Sequence, residues 1–210
     1  RLVGSEMCIR DRIYPDALNR CTQQLGGKRE LDIFIPSKQV GIEYEVIPSE
    51  CQEIIRATTP EKAVIQLALD KAADVAAKVP YNSLVIGADT VVVADGMILG
   101  KPADKATAAG MIDRLQGRQH SVYTGVALIF HGADGDIVKN FACETKVYVY
   151  DMTKEQIEAY IDTGECMDKA GAYGIQGRFA AYVEKIDGDY NNVVGLPVSR
   201  LIHEIDNMEV

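Results

Sequence analysis

Residues 83–99 read Ser-Leu-Val-Ile-Gly-Ala-Asp-Thr-Val-Val-Val-Ala-Asp-Gly-Met-Ile-Leu. Ser83–Ala94 is a strand pattern rich in β-branched residues. Asp95-Gly96 is a turn signal, and Met97–Leu99 is a short return strand. Upstream, Ile42–Ile47 alternates as a short strand. Thr59-Pro60-Glu61 is a helix start, with a capping hydroxyl, proline at the first helical position and an acid in the first turn. That helix is expected to run to about Val79 and stop at Pro80. Downstream, Ala103–Gln116 reads as a helix closed by Gly117. Ser121–Phe130 and Ile137–Tyr150 are long strands joined by a Gly/Asp-rich turn. Thr153-Lys-Glu-Gln156 is a capping box opening a helix to about Thr163. A strand near Ala180–Ile186, a loop Gly188–Pro197 and a helix from Val198 complete the pattern. Helices and strands interleave, with hairpins among the strands. The expected fold is α/β, with a mixed central β-sheet flanked by helices.

Residues 40–210 read as one domain. Residues 1–39 read as an atypical N-terminal segment: Arg1–Arg12 has no usable periodicity, and Gly26-Gly27 and Pro36 punctuate the rest. Composition is that of a soluble globular protein, with 47% hydrophobic and 25% charged residues. No apolar run reaches the roughly 20 residues of a membrane span, and the first residues given do not pair a basic region with an apolar core, so a secretion signal is not expected there. The five cysteines are scattered, without CxxC spacing, which fits reduced thiols in a cytoplasmic protein. A net charge of −9 argues against a nucleic-acid binder, which carries a basic footprint. An anionic small molecule remains open as a substrate, because a local basic cluster can outweigh the global charge.

Several residues carry chemistry. Asp89 is a lone carboxylate inside an apolar strand. Burying an unpaired charge costs several kcal/mol, so the position needs a partner, a metal or the mouth of a cleft. Thr90 points to the opposite strand face. Lys71 shares a helix stripe with Val64, Ala68, Val75 and Val79; it either snorkels to the stripe's edge or is aimed into a site. Proline holds Lys101 extended in Gly100-Lys101-Pro102. Glu50 and Glu53 follow the first strand. Such carboxylates suit Mg²⁺ completed by substrate phosphates, or else they form a solvated acidic loop. His120, without a nearby cysteine or second histidine, reads as packed or hydrogen-bonded rather than as a metal ligand. In Asp168-Lys-Ala-Gly-Ala-Tyr-Gly-Ile-Gln-Gly177, glycine recurs at every third position. Such a backbone bends closely around a ligand, or else makes a tight loop.

Gly87-Ala-Asp-Thr90, Leu99-Gly-Lys-Pro102, His120-Ser-Val-Tyr-Thr124, Asp168–Gly177 and Gly188-Asp-Tyr-Asn-Asn-Val-Val-Gly-Leu-Pro197 together resemble the Maf family of nucleotide pyrophosphatases, historically called septum-formation inhibitors. The match covers the chain from about residue 40 onward, in family order. Ala-Tyr-Gly-Ile-Gln-Gly177 is similar to the branch acting on dTTP and UTP. The resemblance implies two lobes with an active-site cleft, and hydrolysis of a nucleoside triphosphate to the monophosphate and pyrophosphate. It implies Asp89 as the catalytic acid group, and Lys71, Lys101 and Lys169 near the phosphates. Thr90 and Gln176 would read the base. Glu53, Glu50 and Asp89 would hold Mg²⁺, or another divalent ion such as Mn²⁺. A cytoplasmic homodimer is also implied.

The family's opening strand and Ser-x-Ser-Pro-Arg-Arg segment are absent. Arg1–Arg12 resembles translated sequencing-adaptor read-through, so the natural N-terminus is expected to have been lost or scrambled. Two other functions compete with the enzyme. One is a non-enzymatic, nucleotide-sensing regulator of septum formation, which needs no water-activating Asp89. The other is a purine pyrophosphatase of the ITP/XTP type, against which Gln176 and its segment argue.

Overall fold

The fold is built on β3 (Ser83–Ala94), buried along nearly its whole length. The structure, a computed structural model, describes Cys8–Asp11 and residues 45–208. The remainder of the 1–39 segment lies outside those residues. Among the described residues, seven strands form one sheet in the order β2 (Glu45–Val46), β1 (Cys8–Asp11), β3, β5 (Gln119–Gly132), β6 (Gly135–Val149), β7 (Val183–Asp187), and β4 (Met97–Leu99) also pairs with β3. Cys8–Asp11 is thus a strand within a stretch whose sequence shows no periodicity. The α/β class stands, with helices flanking the sheet. The parallel component of a mixed sheet does not occur among the described strands, where every pairing is antiparallel. The tight β3–β4 and β5–β6 hairpins account for much of this, since a short turn can only reverse the chain.

Helix α1 (Pro60–Ala76) covers one face of β3 and β5. The Thr59 hydroxyl accepts from the Lys62 N–H, with Pro60 at the first position. The helix ends three residues before Val79, because Lys78 and Val79 bond back to Val75 and Ala76 in tightened turns. Two glycines let it lie directly on the sheet. A Cβ at Gly87 would sit 2.4 Å from the Ala68 carbonyl oxygen, and one at Gly125 would sit 2.3 Å from the Val64 carbonyl. Gly125→Ala is expected to wedge helix from sheet and lower Tm by about 5 °C, since overpacking costs about 1–3 kcal/mol. Gly110→Ala is the control. It lies in α2 (Lys105–Leu115) with open space around it, and it should hold or slightly raise Tm in the same melt.

Among the described residues, the other face carries two separate cores. Leu84, Ile86 and Ala88 pack with Leu196 and with Leu201 of α5 (Val198–Asp206). Val92 and Ala94 pack with Ile112 of α2, Ile157 of α3 (Lys154–Asp162), Tyr173 and Phe179. These are the two lobes, and Thr90 lies on β3 between them. Downstream, the strand expected from Ala180 begins only at Val183. Arg178–Tyr182 coils into a 3₁₀ turn that buries Phe179 against Tyr160 and Tyr173. The expected loop 188–197 contains a short helix, α4 (Tyr190–Val194).

Candidate active site

The register leaves a break in the sheet edge. β1 pairs with Leu84–Gly87 and β4 with Val92–Ala94. Between them, residues 88–91 have no strand partner on that side among the described residues. Asp89 leaves this break toward α1, and Thr90 leaves it toward the gap between the lobes. One short stretch of backbone thus serves both sheet faces.

Lys71 settles between carboxylates rather than at the helix edge. Its Nζ lies 2.6 Å from Asp89 Oδ1 and 2.8 Å from Glu53 Oε1. Lys71 and Asp89 are each only 1% exposed. The closeness of α1 over Gly87 and Gly125 makes this reach possible. Asp89 Oδ2 is buried and makes no hydrogen bond. Burial pushes the Asp89 carboxyl up to about 6; Lys71 opposes the rise, Glu53 adds to it and Lys101 counters it. Burial disfavours the Lys71 ammonium, but Asp89 and Glu53 outweigh it and hold Lys71 above its ordinary value. Among the described residues, Asp89 and Glu53 thus flank the Lys71 ammonium, and Asp89 Oδ2 makes no hydrogen bond.

A small cleft opens over this group, lined by Glu53, Leu67, Asp89, Thr90, Gly100 and Ala170. Lys101 adjoins it and acts on Asp89 through its charge. The Gly171 N–H donates to the Gly100 carbonyl at 3.0 Å, joining the glycine-rich segment to the β4 exit. Gly171 has φ +68 and lies so close to Val92 that a Cβ would meet it at 2.9 Å, so this glycine is required on both counts. Lys169 pairs with Asp168 at 3.2 Å and runs past Gly174. Gln176 is exposed, in a turn closed by the Gly177 N–H donating to the Gly174 carbonyl. The Glu165 carboxylate accepts from the Arg178 N–H at 2.8 Å and braces that turn.

Glu50 stands apart from this group. It is exposed, pairs with Lys78 at 3.5 Å, and its backbone N–H donates to Asp74. The structure therefore brings together Asp89, Lys71 and Glu53, with Thr90 and Lys101 at the cleft; it pairs Lys169 with Asp168 and leaves Glu50 on the outer surface. His120 is buried and hydrogen-bonded, as its isolation in the sequence suggests. Its Nε2 lies 2.7 Å from the Tyr173 hydroxyl, and burial pushes its pKa down to about 4. Asn192 is a residue to which the sequence assigns no part. It is fully buried, and its side-chain amide donates to the Val122 carbonyl and the Thr145 hydroxyl. Its one sequence signal is its place within Gly188–Pro197.

An antiparallel sheet broken at one edge, with a buried acid, a lysine and two lobes around the break, defines a cleft protein suited to a polar, anionic ligand. The chain belongs to the Maf-like protein family, whose model matches residues 37–208. It is 45% identical over 186 residues to a dTTP/UTP pyrophosphatase of Agathobacter rectalis, covering 82% of this chain and 91% of that protein. It is 49% identical over 166 residues to a dTTP/UTP pyrophosphatase of Symbiobacterium thermophilum, covering 79% and 83%. A protein of the same description from Lachnoclostridium phytofermentans is 45% identical over 181 residues, covering 86% and 90%.

Proposed function

We propose that this protein hydrolyses dTTP, UTP and modified pyrimidine analogues to the monophosphate and pyrophosphate. The observation that carries the reading is Asp89 Oδ2, buried at the break in the sheet edge and without a hydrogen bond. The names of the relatives support the substrate. Water attacks the α-phosphorus, forming one P–O bond as the bond to the bridging oxygen of the pyrophosphate breaks. Asp89 takes the water proton on Oδ2. Lys71 holds Oδ1, and so fixes the direction of Oδ2. Lys101 and Lys169 offset the charge gathering on the leaving pyrophosphate. Gln176, which both donates and accepts, meets the base edge together with Thr90.

The donor set suits Mg²⁺ or Mn²⁺. Among the described residues no three His, Cys, Asp or Glu side chains gather as ligands, so Asp89 and Glu53 would hold the ion and phosphate oxygens would complete it. Bound there, the ion would neutralise phosphate charge. The same reading takes the protein as a cytoplasmic homodimer. The free Cys51, Cys143 and Cys166 fit the compartment, and the family resemblance supports the dimer. No described helix is long and apolar enough to cross a membrane.

The test is product analysis over a nucleotide panel with Mg²⁺. Pyrophosphate is expected from dTTP and UTP, with turnover lost in EDTA and restored by Mg²⁺ or Mn²⁺. Preferential cleavage of ITP or XTP would favour the purine reading. Binding of nucleotide without any turnover would favour the sensor.

A further inference from the structure

We infer that Thr124 sets the base preference of the cleft by fixing the direction of the Thr90 hydroxyl proton. This rests on the reading of Thr90 as a base-facing residue. Thr124 is fully buried, opposite Thr90 in the β3–β5 register. Its Oγ1 donates to the Asn192 backbone carbonyl at 2.9 Å. A carbonyl oxygen can only accept, so the single hydroxyl proton of Thr124 is committed there. Thr124 Oγ1 also lies 2.8 Å from Thr90 Oγ1. That bond needs a proton, and the one remaining belongs to Thr90. Reversing the chain would set oxygen lone pairs face to face in a buried site, leaving polar groups unsatisfied.

The end of the chain is anchored. The Asn192 carbonyl takes a second donor, the Gly195 N–H at 3.1 Å. The Asn192 side-chain amide is tied to Val122 and Thr145 on the sheet. The carbonyl therefore stays in place, and the order Thr90 to Thr124 to Asn192 is built into the fold. Thr90 is half-buried, between the lobes. With its proton turned inward, it offers the cleft an acceptor and no donor. Uracil and thymine present an N3–H, which satisfies that acceptor. Neutral cytosine presents a bare N3 lone pair, which leaves two acceptors facing each other. A site built on such a bond rejects the base that lacks its partner.

The experiment compares kcat/KM for UTP and CTP in wild type, Thr124→Val, Thr124→Ser and Thr90→Val, with Tm recorded for each. Thr124→Val removes the internal acceptor and frees the Thr90 proton to face the cleft. The UTP-to-CTP ratio is expected to fall on the order of tenfold, the effect of one misdirected hydrogen bond. Thr124→Ser keeps the chain and should keep the wild-type ratio. A packing role alone would lower both substrates together and leave the ratio alone. If Thr124→Val does not fold, Thr124→Cys carries the same test, because sulfur is a weak acceptor; an intermediate ratio is expected. A wild-type ratio in Thr124→Val or Thr124→Cys, with the ratio lost in Thr90→Val, overturns the inference and leaves the base reading intact. A ratio unchanged in Thr90→Val overturns the base reading itself, and the inference with it.

Discussion

Asp89→Asn is expected to lower dTTP and UTP turnover by about a thousandfold without lowering Tm. The loss follows from chemistry: an amide of the same shape accepts no proton from water, and general-base removal typically costs about 10²- to 10⁴-fold. The unharmed fold follows from charge. In the wild type the buried Asp89 and the half-buried Glu53 share the Lys71 ammonium. Removing one negative charge leaves Lys71 and Glu53 as a matched pair. The pH dependence has a definite sign. The Asp89 carboxyl is raised from 3.8 to about 6, so its contribution to stability is present below pH 4 and is lost as pH rises through 6. The asparagine variant lacks that loss. In metal-free buffer its Tm should therefore gain on wild type between pH 4 and 7. Undiminished turnover in Asp89→Asn would falsify the catalytic role; a Tm falling relative to wild type over that range would refute the charge argument.

Much of this site is legible in the sequence, because its parts lie on regular elements. Ser83–Ala94 has the bounds the β-branched run suggests. Asp89 stands out as a charge in that run. The Thr153–Gln156 capping box closes as expected, with both reciprocal bonds made. What stays hidden depends on register and on close approach. The helix stripe containing Lys71 reads the same for a snorkelling lysine and for one aimed inward. The distance of α1 from the sheet decides between them, and Gly87 and Gly125 set that distance from separate strands. Glu50 and Glu53 lie in a segment without regular period, so no spacing rule distinguishes the inward acid from the outward one. The break in the sheet edge between Gly87 and Val92 exists only once β1 and β4 are both placed. Thr124 and Asn192 are far apart in sequence, and their bond appears only when α4 packs on β5.

Lys71→Met makes the opposite change in the same group, and its expected result is severe. Methionine fills the space of the stem without the charge. Asp89 and Glu53 then lose the cation they share. Breaking a buried ion pair by removing one partner costs about 3–5 kcal/mol, or a fall in Tm of about 10 °C for a chain of this size. The variant can relieve the strain by taking up a proton, since two close carboxylates cannot both ionise cheaply. Loss of Lys71, the strongest influence holding the Asp89 carboxyl down, raises that carboxyl further. A carboxyl raised in the folded state favours folding at low pH and opposes it as pH rises through the raised value. The Tm deficit of Lys71→Met should therefore be small near pH 5 and large near pH 8, in thermal melts without metal. Adding Asp89→Asn to this variant removes the carboxylate repulsion between Asp89 and Glu53, so the double substitution should recover most of the lost Tm at pH 8 while remaining inactive. A double variant no more stable than Lys71→Met would show that packing of the lysine stem, rather than charge balance, holds helix α1 to the sheet.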